Sequence, residues 1–317
     1  MSNTLKKTLK ILLPLAFGGF LVWYSLSNIS ISTLVSYFKN ANYWWIFLGL
    51  FFGLLSHLSR AYRWKFILEP IGYKPKLGNS ILAVLVGYLV NLAIPRAGEV
   101  SRAAVLANYE NVPFEKGFGT IVAERIADLI MMLVIILITL FVQFDFIYDL
   151  LTKNFDPTKI ILLLILLIAG FFIFTSFVKK AKKGSLLKIK TFVSGLVEGL
   201  TGIFKMKNKW AFIFHTVFIW AMYVAMFWAT IPAIEGLQVP IGGVLIGFIA
   251  GAFSIAATNG GIGLYPVAVT GALALFGVPE EPATAFGWIM WTAQTAMIII
   301  FGGLSFLVLP IYNKNKN

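Results

Sequence analysis

Apolar residues in this chain come in long runs, separated by short basic clusters and by turns rich in Gly, Pro and Asn. A helix that crosses a bilayer needs about 20 apolar residues. Six runs read as full spans: 11–27, 43–60, 119–142, 159–178, 210–231 and 283–308. Two further runs, 80–110 and 241–276, are apolar but broken in the middle. The first break reads Asn91-Leu92-Ala93-Ile94-Pro95-Arg96-Ala97-Gly98-Glu99 and the second Thr258-Asn259-Gly260-Gly261-Ile262-Gly263. Residues 28–40 read as a short amphipathic linker, and 184–206, which mix apolar positions with Lys, as an interfacial helix. The expected fold is all-α: one integral membrane domain over 1–317, with about six full transmembrane helices and two broken helical hairpins.

Charge orders these elements across the membrane. The segment 179–209 carries nine Lys against Glu198, and 60–79 carries Arg60, Arg63, Lys65, Lys74 and Lys76 against Glu69. Positive residues concentrate on the cytoplasmic side, so both segments, and the terminus with Lys314 and Lys316, are expected inside. The acids Asp145, Asp149 and Asp156, then Glu235, then Glu280 and Glu281, fall on the other side. Lys6, Lys7 and Lys10 precede the first run like a signal-peptide n-region, but Trp23 and Tyr24 follow as an interfacial belt, so it reads as an uncleaved helix.

Counting crossings between these loops, each broken run must return to the side it left. It is either a re-entrant hairpin or a pair of full crossings; arms as short as 80–94 and 264–276 favour the hairpin. The order helix, broken hairpin, helix then occurs at about 43–142 and again, inverted, at about 210–308, with 179–209 as a cytoplasmic linker. Interrupted helices in inverted repeats mark the binding site in many secondary transporters.

Composition narrows the chemistry. With 59% hydrophobic and 12% charged residues, and mean hydropathy +0.86, the chain is far from the roughly 25% charged residues of a soluble domain. It has no Cys, and its two His, His57 and His215, are far apart. That excludes thiol chemistry and disfavours zinc catalysis, so no cofactor and no enzymatic activity are expected. The net charge of +13 matches loop lysines and anionic headgroups better than nucleic acid.

The densest polar group lies in 91–128. Arg96, Glu99 and Arg102 stand at the first break, with Glu99 and Arg102 on one face of any helix there. Glu124, Arg125 and Asp128 follow in the next span, where Glu124 and Asp128 share a face. Charges in hydrocarbon are costly, so they pair with one another or line a path. Arg60 and Arg63 either join them or snorkel to the boundary, and Glu124, Arg125 and Asp128 either line the path or tie helices together. The arginines outnumber the acids, which suits a phosphate. At the second break the glycines permit positive φ, and N–H groups at the start of the following helix suit an anion; a tight ligand-free turn fits equally well. Trp44, Trp45, Trp64, Trp210, Trp288 and Trp291 mostly read as interface anchors.

Arg60-Ala61-Tyr62-Arg63-Trp64, the block Asn91-x3-Pro95-Arg96-x-Gly98-Glu99-x2-Arg102, then Glu124-Arg125 with Asp128, and the Asn259–Gly263 turn follow one another in an order that resembles the lysylphosphatidylglycerol synthase transmembrane-region family. In its two-part members that region is a flippase for aminoacylated phosphatidylglycerol, and a separate soluble domain makes the lipid. The resemblance therefore implies a flippase-type membrane part without the synthase. Many members carry an acid just after the second turn; Tyr265-Pro266 stands here, which argues against a cationic headgroup.

The reading that follows is a lipid flippase or lipid-binding transporter in a bacterial cytoplasmic (inner) membrane, both termini inside. Its partners are membrane lipids, anionic or phosphate-bearing, with no nucleic acid. The expected substrate site is Arg63, Asn91, Arg96, Glu99, Arg102, Glu124, Arg125, Asp128, Asn259, Gly260, Gly261 and Gly263. The alternatives are a small-solute or ion-coupled secondary transporter and a membrane scaffold subunit.

Overall fold

The computed structural model describes residues 18–27, 29–94, 96–154, 206–258 and 260–314, with isolated positions elsewhere. The span expected at 159–178, most of the linker 179–209, the start of the first span, Pro95 and Asn259 lie outside the described residues. The chain divides into two compact units, Met1–Glu124 with Trp210–Asn317, and Arg125–Lys209.

The described elements are helical: α1 (Ile31–Asn40), α2 (Tyr43–Leu68), α3 (Leu77–Ala93), α4 (Ala97–Glu110), α5 (Phe114–Val142), α6 (Phe144–Asn154), α7 (Lys209–Thr230), α8 (Ile241–Ala257), α9 (Leu264–Ala274) and α10 (Glu280–Tyr312). Four of these regions, Tyr43–Ile71, Phe114–Val142, Lys209–Ala233 and Glu280–Tyr312, are long and apolar enough to cross a membrane. The protein is an all-α polytopic membrane protein. The acidic segment after α5 forms a helix, α6, that its charge pattern does not announce.

Both broken runs are helical on each side of the break, at 94–96 and at 258–263. The first break is narrower than its polar letters suggest, because Asn91 still belongs to α3. At 17 residues α3 and α8 each rise about 25 Å, and α9 with 11 residues about 16 Å, against roughly 30 Å of hydrocarbon. Glycine lets the arms of each hairpin close. A Cβ on Gly98 would run into the Gly87 carbonyl oxygen, and one on Gly251 would lie 2.6 Å from the Tyr265 ring. Gly87 and Gly251 each stand ten residues after the first residue of their helix.

The spans before the two hairpins also end alike, in short 3-10 turns carrying Pro, Glu69–Ile71 and Ile231–Ala233. These spans, α2 and α7, run antiparallel. The Asn42 N–H donates to the Ala233 carbonyl at 2.9 Å, Gly49 faces Thr230, Gly53 faces Met226, and Arg63 bonds Thr216. The helix α3 packs against α10, where Gly302 admits Leu85 and Leu89. At the far end of that contact Asn79 and Asn313 exchange amide hydrogen bonds of 2.9 and 2.7 Å. A core of Ala61, Trp64, Leu68, Ala83, Val84, Leu106, Ile121 and Leu309 joins α2, α3, α4, α10 and the start of α5.

The tryptophans correct one expectation. Trp44 and Trp210 are exposed, as interface anchors should be, but Trp64 is fully buried and Trp288 nearly so. Trp64 donates its indole N–H to Thr120 at 2.8 Å, and Trp288 donates to Ser25 at 3.0 Å.

Ala at Gly98 must push its Cβ into backbone, so it should cost at least the roughly 1–3 kcal/mol of overpacking. Gly271, on α9 with nothing within 4 Å of its Cβ direction, should accept Ala without loss. Thermal unfolding of the two variants in detergent checks the contrast.

Candidate functional site

Four helices deliver one buried charge cluster. α2 supplies Arg63 and Trp64, α4 supplies Arg102, α5 supplies Glu124, and α7 supplies Thr216. Glu124 has no exposed surface and sits between two guanidiniums. Arg102 Nη2 donates to its Oε2 at 2.8 Å, and Arg63 Nη2 lies 3.6 Å from its Oε1. Arg63 Nη1 donates to Thr216 Oγ1 at 2.9 Å. The Arg102 guanidinium lies 4.3 Å from the Trp64 ring centroid and that of Arg63 5.2 Å from the Phe212 centroid, both cation–π distances. A Cβ at Gly87 would meet the Arg102 side chain at 2.7 Å, so the glycine that lets the hairpin close also makes room for the arginine.

Burial settles where Arg60 and Arg63 go. They are 2% and 0% exposed, so they do not snorkel. A carboxylate buried with two arginines also meets the demand that buried charges be answered. Of the two roles open to Glu124, tying helices together is the one its contacts describe.

The first break lies beyond this cluster, about 9 Å of helix rise from Arg102. Arg96 is exposed and takes a left-handed conformation, φ 62° and ψ 7°, at the N-cap of α4. Only a few per cent of non-glycine residues do so, and Arg gains no local hydrogen bond there. The cap comes instead from Asn91, whose Oδ1 accepts the Gly98 N–H at 2.7 Å across the break. Glu99 is half-buried in the first turn of α4, where the helix dipole favours an acid.

At the second break Gly260, Gly261 and Gly263 have φ of 64°, 82° and 69°. The turn is tightly tied. Tyr265 N–H donates to the Gly261 carbonyl at 2.9 Å, Leu264 N–H to Ile262 at 2.8 Å, and the Trp291 indole to the Gly260 carbonyl at 2.8 Å. Two of the N–H groups expected to face an anion are thus engaged inside the turn. The two breaks meet: a Cβ at Gly260 would lie 2.7 Å from Leu92 Cδ2, at the end of α3.

Of the expected site residues, Arg63, Arg102 and Glu124 come together, and Asn91, Arg96 and Glu99 gather at the first break. Gly260, Gly261 and Gly263 form the turn against Leu92. Arg125 and Asp128 belong to the other unit, where they pair along one helix at 3.4 Å with Arg125 exposed and Asp128 buried. Asn259 lies outside the described residues. Trp64, Thr120 and Thr216 complete the cluster; in the sequence Trp64 reads as an interface anchor, and Thr120 and Thr216, single hydroxyls in apolar runs, give no signal.

Residues 11–302 match the sequence family described as the lysylphosphatidylglycerol synthase TM region. The chain belongs to that family. It is similar to a UPF0104 membrane protein of Methanocaldococcus jannaschii, 30% identical over 106 residues, or 32% of each chain. It is also similar to glycosyltransferase AglD of Haloferax volcanii, 35% identical over 78 residues, which is 24% of this chain and 12% of that one. The chain thus spans less than a third of the length of these curated relatives. No solved structure matches it.

Removing one member of a buried ion pair typically costs about 3–5 kcal/mol, whereas an exposed pair is worth about 0–1 kcal/mol. Glu124→Ala, which strips two buried arginines of their shared carboxylate, should therefore destabilise strongly, and Arg125→Ala, which removes an exposed partner of a buried acid, less. Denaturation midpoints of the two variants test this ordering.

Proposed function

We propose that this member of the lysylphosphatidylglycerol synthase TM region family holds a phosphate-bearing lipid at its first helix break and moves it between leaflets. The observation that carries the reading is the meeting of the breaks at Leu92 and Gly260, with Arg96 exposed at the rim in a conformation that its own side chain does not stabilise. Non-helical backbone at membrane depth is tolerated only where protein or a water-filled cavity covers it, and strained residues cluster at working sites. Arg96 makes the first contact with the phosphate. Glu99 orients it, and the Arg63–Glu124–Arg102 cluster is the fixed charged wall behind. The Gly-rich turn closes the other side.

An inverted repeat supports this reading. The stretches 43–142 and 210–308 share the order span, Pro turn, 17-residue arm, break, arm, span, and their first spans pack antiparallel. Arms shorter than the hydrocarbon favour a re-entrant path for each hairpin, and the positive loops favour cytoplasmic termini. We read the role as transport, since no Cys and two separated His leave out thiol chemistry and disfavour zinc catalysis. The glycosyltransferase name of one relative belongs to a protein of which this chain aligns with 12%.

In proteoliposomes carrying a fluorescent phospholipid, dithionite quenching reports exchange between leaflets. Arg96→Ala/Glu99→Ala should cut the initial rate at least about tenfold while costing no more stability than the roughly 0.3–1 kcal/mol of an acid at a helix start. Arg96→Gly should lose rate equally while relieving the roughly 1 kcal/mol of the left-handed residue. Wild-type rates in both variants would remove the site from the first break.

A further inference from the structure

A second feature lies on another face of α2. Leu55, Leu58, Ser59 and Tyr62 of α2, Leu77 and Ile81 of α3, and Phe214, His215 and Phe218 of α7 enclose a laterally open groove of about 380 Å³. That volume falls within the roughly 300–1,000 Å³ of small-molecule sites. Nearly all of its wall is carbon. Its polar side chains are engaged: Ser59 Oγ and His215 Nδ1 lie 2.8 Å apart and answer each other, and the Tyr62 hydroxyl is bonded by Lys65. The wall therefore offers little to a polar solute, and the groove suits a hydrocarbon chain.

A charge stands beside it. Lys65 Nζ donates to the hydroxyl of Tyr62, a groove residue, at 2.6 Å and stands 3.8 and 5.1 Å from the Tyr62 and Phe66 ring centroids. The ammonium is thus fixed beside the groove. Lys76 is exposed and directly precedes Leu77, another groove residue. Around them the segment 60–79 carries Lys74 as well, against one acid, Glu69. An apolar groove with Lys65 fixed beside it and exposed Lys76 next to it in sequence is complementary to an acyl chain ending in an anionic headgroup, and cations at a membrane boundary attract such lipids.

We infer that this groove is a binding site for an anionic phospholipid, one acyl chain lying over the Ser59–His215 pair and the phosphate against Lys65 and Lys76. The site is separate from the breaks and needs only that the chain sits in lipid. Failure of lipid movement leaves it standing, and failure here leaves the proposed transport site standing.

The test uses the full chain in phosphatidylcholine nanodiscs doped with a phosphatidylglycerol, or a phosphatidylcholine, that carries a photoreactive diazirine in its acyl tail. After illumination the labelled peptides are mapped. Phosphatidylglycerol should label 55–62 and 214–218 several-fold more than phosphatidylcholine does. Lys65→Gln should reduce that preference by about half or more, and adding Lys76→Gln should bring the two lipids to equal labelling. Leu58→Trp, which fills the groove, should abolish the label, while Leu304→Trp on the exposed side of α10 should not. The lysine variants decide the matter if Leu58→Trp does not fold. Even labelling around all apolar helices, equal labelling of the wild type by the two lipids, or displacement by inorganic phosphate would overturn the inference.

Discussion

A charge surrounded by hydrocarbon must be answered by another charge or by hydrogen bonds, and Glu124 is where several helices meet that demand together. Each of its oxygens faces an arginine from a different helix, at 2.8 and 3.6 Å. Each guanidinium then rests near an aromatic ring, and Arg63 reaches a hydroxyl on α7. None of these contacts is local in sequence. They fix α2, α4, α7 and the start of α5 as one body, and so fix where the first break can lie.

Glycine makes that body possible. Gly87 and Gly98 bring the arms of the first hairpin to backbone contact, and Gly87 also frees the volume that Arg102 fills. In the second hairpin Gly251 makes room for the Tyr265 ring. Without hydrophobic drive between helices in lipid, such close approach supplies the packing. The two closed hairpins then present their tips to each other at Leu92 and Gly260, leaving Arg96 at the rim.

The apolar runs made the membrane class and the described spans legible in the sequence, and the Gly, Pro and Asn letters located both breaks. The charged residues of the cluster were also legible, because a charge in such a run stands out. Their partners were not. Trp64 looks like any interfacial Trp until its indole is seen to bond Thr120, and Thr216 is one hydroxyl in an apolar helix. Asn91 reads as part of the break, yet it is helical and caps α4 from across it. The Gly-rich turn suggested open donors; Leu264 and Tyr265 instead donate inside it. Composition registers which residues are polar, but long-range geometry decides which of them are already engaged.

The central claim is that a phosphate-bearing lipid sits at the first break. Its most direct test is a photoreactive benzoylphenylalanine at Ile94, an exposed position beside Arg96, followed by mass spectrometry of the illuminated, purified protein. The account predicts a phospholipid adduct at 94 that falls sharply when Arg96→Ala is added. An adduct of equal yield with and without Arg96, or no lipid adduct at all, would contradict it.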